Sequence, residues 1–228
     1  MKKIAILGAM EIEITPLLKK LSQYETVEYA NNKYYIAEYL GHQLIIAYSK
    51  IGKVFSAMTA TIMIEHFGAE VLLFTGVAGG LQNLKVGDMI AATATVQHDI
   101  DITAFGYPYG KIPISEVEIA TSKELLVKAQ DVALESNLDL KTGIVATGDQ
   151  FIHSVEKKDF VIKGFDAKAL EMEGGSVNLV CHEFGVPSLI LRSISDTADG
   201  DAPDNFDEFV DMAAQRTANF VINLIKKI

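Results

Sequence analysis

Several stretches of this chain are apolar at nearly every position. They are KIAILGA from Lys3, QLIIAYS from Gln43, EVLLFTG from Glu70 and SLILRSIS from Ser188. A strand with one wet face alternates apolar and polar residues. An unbroken apolar run fits a strand covered on both faces, and that requires a sheet held between two other layers. Further strand-like runs are KYYIAEYL, DMIAATATVQHD, GIVATG and AKALEME, each bounded by Gly, Asp or Asn or by a charged residue. Helical spacing of apolar residues appears roughly over 53–67, with Gly68 as a stop, and over 122–136. A closing helix places Phe206, Phe209, Val210, Ala213, Thr217, Phe220, Val221, Leu224 and Ile228 on one face. Shorter helices are expected after Thr15-Pro16, a capping and first-turn pair, and after Gly175; the first can begin before Thr15. Strands alternating with helices define an α/β fold with a mixed, mainly parallel sheet. With 228 residues and no low-complexity linker, residues 1–228 read as a single domain.

In such folds ligands sit beyond the carboxyl ends of the strands. Four strand tips qualify: GAMEIE, TGVAGGL, LEMEGG and RSISDTAD. TGVAGGL, Thr75 to Leu81, reads as a glycine-rich turn whose backbone can approach an anion or a sugar, or as a turn needed for packing alone. It is neither a dinucleotide fingerprint nor a phosphate loop. Glu13 sits where a helix begins, so favourable placement at the positive end of the helix dipole explains it as well as a task does. Alternation along RSISD puts Arg192 and Asp196 on one face, with Ile194 between them; Asp196 either meets a ligand or caps the next turn. In ALEMEGG, Glu171 and Glu173 also share a face, and periodicity does not separate them. The convergence of four such tips carries more weight than any one.

Composition removes several classes of function. The formal net charge is −10, with no basic stripe, which disfavours nucleic acid. Only Arg192 and Arg216 supply guanidinium, so a phosphate dianion would find few forks to bind. One cysteine, Cys181, precludes an internal disulfide framework and fits a reducing, cytoplasmic setting. The short N-terminal apolar run meets Glu11 and Glu13 too soon for a signal peptide, and no run is long enough to span a membrane. His98, Asp99 and Asp101 resemble a metal cluster, but strand alternation would put His98 opposite both aspartates. The acidic run DTADGDAPDNFDEF lacks the register of a calcium loop; it reads as a solvated loop with Asp204 or Asn205 capping the last helix.

The motifs GAMEIEI, SKIGKV, TGVAGGL, LKVGD, QHDIDITAFGYPYG, GDQFIHS, LEMEG, RSISDTAD and FDEF, in this order, resemble the 5′-methylthioadenosine/S-adenosylhomocysteine nucleosidases of the nucleoside phosphorylase superfamily. The resemblance runs nearly end to end. It implies a three-layer α/β/α sandwich and a homodimeric hydrolase without cofactor or metal that releases adenine from 5′-thioribosides. It assigns Glu13 to activating the attacking water, and Asp196, assisted by Ser195, to the purine N7. It assigns Glu173 and Met172 to the ribose, Phe151 to stacking on the base, and the Ile152 backbone to the base edge. Arg192 would lie near the water, and Met10 and Ile51 along the ribose or alkylthio end. The backbone of Ala78 and Gly79 would face the sugar, and Ile102, Phe105 and Pro113 would reach the partner subunit's alkylthio pocket. It also implies a closing loop from Asp199 onwards. The chain departs from many members at Val77, where they carry serine; a missing hydroxyl there opens the question of substrate preference, with 6-amino-6-deoxyfutalosine as a further substrate. A phosphorylase and a non-catalytic adenine-nucleoside sensor are the rival readings on the same fold.

Overall fold

The computed structural model describes the chain at residues 1–198 and 202–228, with side chains placed for 1–198 and 209–228. The closing loop from Asp199 and the side chain of Phe206 therefore lie outside the described residues, while the last helix starts at Ala202, ahead of the cap expected at Asp204 or Asn205.

The chain runs β1 (Lys3–Gly8), α1 (Glu11–Leu18), β2 (Glu25–Tyr29), β3 (Asn32–Tyr39), β4 (His42–Tyr48) and α2 (Lys53–Glu65). It continues through β5 (Val71–Gly80), β6 (Met89–Gln97), a 3₁₀ turn at Thr103–Phe105, β7 (Ile119–Ala120) and α3 (Lys123–Glu135). It ends with β8 (Leu140–Thr147), α4 (Val155–Phe165), β9 (Ala169–Glu171), α5 (Gly174–Phe184), β10 (Ser188–Asp196) and α6 (Ala202–Ile225).

The unbroken apolar runs become the central strands, and their alternate residues feed two different cores. Ile4, Ile6, Val71, Leu73, Leu189 and Leu191 pack with Ile14 and Leu17 of α1, Leu125 and Val132 of α3, and Val221 and Leu224 of α6. Ala5, Leu7, Leu72, Phe74 and Ile190 point the other way, onto Ala60 and Met63 of α2 and Val177 and Cys181 of α5. This is the three-layer sandwich, and it explains why neither set of positions tolerates polar residues. Each fully buried Leu or Ile contributes ~1.5–3 kcal/mol against exposure.

The sheet is mixed. Parallel pairings join β1 to β4 and β5, β5 to β10, and β8 to β6 and β9. Antiparallel pairings form the β2–β3–β4 edge and join β10 to β6, β5 to β9 and β6 to β7. Because β5 pairs both β9 and β10, strands β5–β10–β6–β8–β9 return to β5 as a closed ring. β5 makes this possible by its length: Val71–Phe74 pair with β1, while Gly79 and Gly80 pair with β9. Ring closure depends on pairings between distant segments and was not visible in local patterning.

Three local readings change. α1 takes the earlier start, at Glu11, so Thr15-Pro16 is not its cap and first turn but lies inside it; Thr15 Oγ1 donates to the Glu11 carbonyl at 2.8 Å. TGVAGGL is not a turn, since β5 runs through to Gly80. α4 had no strong apolar periodicity, yet Ser154 caps it by accepting the Lys157 N–H, and Val161 and Phe165 bury its inner face.

Candidate active site

The carboxyl ends of β1, β5, β9 and β10 surround a cavity of about 520 Å³. Its wall includes Met10, Glu13, Ile51, Val77, Ala78, Gly79, Phe151, Ile152, Met172, Glu173, Ser195 and Asp196, twelve of the sequence-derived candidates. Ala9, Gln150, Leu170, Glu171 and Ala198 complete it. Of these, only Glu171 was weighed as a residue in its own right; Ala9, Gln150, Leu170 and Ala198 lie in GAMEIE, GDQFIHS, LEMEGG and RSISDTAD without a role of their own there.

Glu13 sits at the third position of α1, so its carboxylate folds back over the helix start. Oε2 accepts the Ala9 and Met10 N–H groups at 2.6 and 2.9 Å, and Oε1 accepts the Val77 N–H at 2.9 Å. The dipole-favoured position and the cavity position are thus the same. Burial raises its proton affinity above the ordinary glutamate value, against the opposing pull of Arg192 and of the three N–H donors. Gly76 lets this happen: a Cβ there would collide with Glu13 Oε1 and lie 2.8 Å from Arg192 Nη1. The glycine of TGVAGGL serves close approach of a carboxylate within a strand, not a turn.

Asp196 closes β10. A bulge between Ile194 and Asp196 inserts Ser195 opposite the β5 partners and breaks the alternation expected through RSISD. Asp196 therefore reaches the cavity, while Arg192 does not line it. Ser195 Oγ donates to Asp196 Oδ2 and the Ala198 N–H to Oδ1, each at 2.9 Å. Gly79 leaves room here too, since a Cβ would sit 2.9 Å from Oδ1.

Glu173 is 5 % exposed, and its Oε1 accepts the Gly52 N–H at 2.8 Å. Burial first, and then the neighbouring Glu171 carboxylate, push its pKa up to about 8. Arg192, 1 % exposed, gives Nη2 to Glu171 Oε2 at 2.5 Å and lays its guanidinium over the Phe74 ring. It stands behind the wall, not at it. Val77 turns its side chain into an apolar cluster with Val210, Ala213, Met10 and Ile12, which a serine hydroxyl would not join without a partner.

Ile102, Phe105 and Pro113 do not reach this cavity within their own chain; Phe105 is 80 % exposed. β6 ends at Gln97, so the face argument for His98 does not apply. His98 is buried against the Gly148 backbone, and Asp99 binds Lys53 Nζ at 2.7 Å and accepts the Asp149 N–H. Among the described residues no group of three His, Cys, Asp or Glu is placed to hold a metal ion, and no helix is long and apolar enough to cross a membrane.

No lysine or arginine lines the described wall. A largely apolar cavity with carboxyl groups converging from the start of α1, the exit of β9 and the end of β10, and an aromatic side chain beside it, is an enzyme-type site for a small molecule with a planar ring. Residues 3–226 match the phosphorylase superfamily. The aminodeoxyfutalosine nucleosidase of Campylobacter jejuni is 52% identical over 229 residues, covering 100% of both chains. A solved structure from Francisella philomiragia is 75% identical over the whole of both chains, with a TM-score of 0.99. The Helicobacter pylori 5′-methylthioadenosine/S-adenosylhomocysteine nucleosidase, solved with a pyrrolidine-based ligand, is 46% identical over 100% of this chain and 99% of that one, with a TM-score of 0.98. The chain belongs to the phosphorylase superfamily and, within it, to the nucleosidases that cleave N-glycosidic bonds.

Proposed function

We propose that this protein hydrolyses the N-glycosidic bond of 5′-methylthioadenosine, S-adenosylhomocysteine and 6-amino-6-deoxyfutalosine, releasing adenine. The observation that carries the reading is the convergence of Glu13, Glu173 and Asp196 on one cavity whose described wall bears no cation. Breaking a ribosyl C–N bond builds positive charge on the sugar and negative charge on the leaving base. Carboxylates around the sugar favour the first, and an acid at N7 relieves the second.

Glu13 acts as the base that deprotonates water, helped by the burial that raises its proton affinity. Asp196 delivers or shares a proton at N7, oriented by Ser195 Oγ. Glu173 grips the ribose hydroxyls beside Met172, each hydrogen bond contributing ~0.5–1.5 kcal/mol while the carboxyl is protonated and ~1.5–3 kcal/mol once it ionises. Phe151 stacks on the base, the Ile152 backbone meets its edge, and Met10 and Ile51 flank the ribose and 5′ substituent. Arg192 acts from behind the wall through its field on Glu13. The 52% identical Campylobacter nucleosidase supports aminodeoxyfutalosine as a substrate, and the apolar setting of Val77 is consistent with altered preference.

The reading includes a homodimer in which Ile102, Phe105 and Pro113 complete the neighbour's alkylthio pocket; their distance from their own cavity and the exposure of Phe105 support it. It places the enzyme in the cytoplasm, in methionine salvage and menaquinone biosynthesis. A buried, unpaired Cys181 fits a reducing compartment.

The test is incubation with methylthioadenosine in phosphate-free buffer. Free adenine with methylthioribose is the expected outcome. A requirement for phosphate, or a methylthioribose-1-phosphate product, overturns hydrolysis in favour of phosphorolysis, and binding without turnover would mark a sensor. Glu13→Gln and Asp196→Asn should each lower kcat by ~10²–10⁴-fold with the fold intact.

A further inference from the structure

We propose that Glu171 is the positioning residue of this site: it caps α5 in place of Glu173 and orients Arg192, so that Glu173 is left free to face the cavity. The inference rests on the assignment of Glu173 and Glu13 to the reaction made above.

α5 begins at Gly174, with Glu173 in the cap position. A cap residue ordinarily turns its own side chain back to the first orphan N–H groups of the helix. Glu173 makes no such bond; its Oε1 is taken by the Gly52 N–H. The orphan donors are served from elsewhere. Glu171 Oε2 accepts the Gly174 N–H at 2.6 Å and the Glu173 N–H at 3.1 Å. Thr147 Oγ1 accepts the Gly175 N–H at 2.6 Å and itself donates to Glu171 Oε1. A carboxylate at the positive end of a helix is electrostatically favoured there. Gly174 keeps the approach open, since a Cβ would stand 3.0 Å from Glu171 Oε2.

The same Oε2 binds Arg192 Nη2 at 2.5 Å. That bond leaves Nη1 directed to the space over Gly76, where Glu13 Oε1 also lies. One buried carboxylate thus connects both proposed working glutamates: Glu173 through the first turn of α5, and Glu13 through Arg192. The charges around Glu173 are Glu171 from β9, Arg192 from β10 and Glu13 from α1, and the Glu171 charge is the largest of them in raising the Glu173 pKa toward about 8.

Two variants test this. Glu171→Asp keeps the charge beside Arg192, which protects folding, but shortens the reach to Gly174 and Thr147. Displacing Glu173 by the ångström this involves should lower kcat by ~10²-fold. Its Glu173 titration, read in the free protein by carbon NMR of labelled glutamate carboxyls and assigned with Glu173→Gln, should stay near the wild-type position. Glu171→Gln keeps the shape and removes the charge; there the same titration should move toward lower pH, and the limb of the kcat/KM profile with it. Wild-type kcat in Glu171→Asp overturns the positioning role, even if Glu171→Gln does not fold. A Glu173 titration unmoved in a folded Glu171→Gln overturns the electrostatic link. The titration needs no substrate, so it still decides the matter if the protein proves not to release adenine.

Discussion

Gly76→Ala adds one methyl group inside β5 and should slow the reaction strongly in a protein that still folds. Gly76 has no positive φ, so the backbone accepts alanine without conformational strain and the effect is steric alone. The new Cβ would collide with Glu13 Oε1 and lie 2.7 Å from Glu13 Cδ, where ordinary contact begins at 3.4 Å. The carboxyl must then recede by about 1 Å, since Oε1 meets the methyl before Cδ does; the alternative, moving β5, disturbs pairings to β1 and β10 at once. Recession stretches the bonds from the Ala9, Met10 and Val77 N–H groups, which hold Glu13 at 2.6–2.9 Å. A misplacement of this size costs ~10²-fold in kcat, equivalent to about 2.7 kcal/mol of barrier. Overpacking costs ~1–3 kcal/mol of stability, or about 2–12 °C in Tm for a chain of this length. Adenine release, followed continuously, gives kcat and KM, and a thermal melt gives Tm. A kcat within about twofold of wild type would refute both the steric argument and the placement of Glu13 at the reacting water.

Three further outcomes follow from other parts of the fold. Gly164→Ala, in α4, meets nothing within 4 Å and should raise Tm by ~1–4 °C through helix propensity alone, with kcat unchanged; a fall in Tm would contradict it. Glu173 holds its proton up to a pH of about 8 in the folded chain, against 4.5 for the ordinary group. Its stabilising contribution is fully present below the lower value and is lost as pH rises through the upper one. Glu13, raised in the same direction, adds to the trend. Tm should therefore decline from about pH 5 to about pH 8.5, and Glu173→Gln should flatten the decline and raise Tm at the alkaline end; an unchanged slope in that variant would rule Glu173 out as its source. Phe151→Ala should raise KM by ~5- to 150-fold, the worth of one stacked base, with a smaller effect on kcat; an unaltered KM would mean the base does not lie on that ring.

Much of the architecture was legible in the chain itself. Ile4, Ala5, Ile6 and Leu7 admit no polar residue because alternate members enter cores on opposite sides of the sheet, and that pattern can be read without coordinates. The four strand tips were legible for a related reason: glycines and acids at the ends of apolar strands have few purely structural explanations. Where local pattern failed, the deciding partners lay far along the chain. Alternation placed Arg192 and Asp196 together until a bulge, stabilised by pairing with β5, separated them. It could not divide Glu171 from Glu173, which are two residues apart. Tertiary structure does so, because Arg192 and Thr147 arrive on β10 and β8 to claim Glu171, while the Gly52 N–H ahead of α2 claims Glu173. Apolar periodicity records only which face of an element is buried. Which buried carboxylate serves Arg192 and the start of α5 and which keeps an oxygen for the cavity depends on donors brought in from other elements, and only the closed sheet sets them within hydrogen-bonding distance.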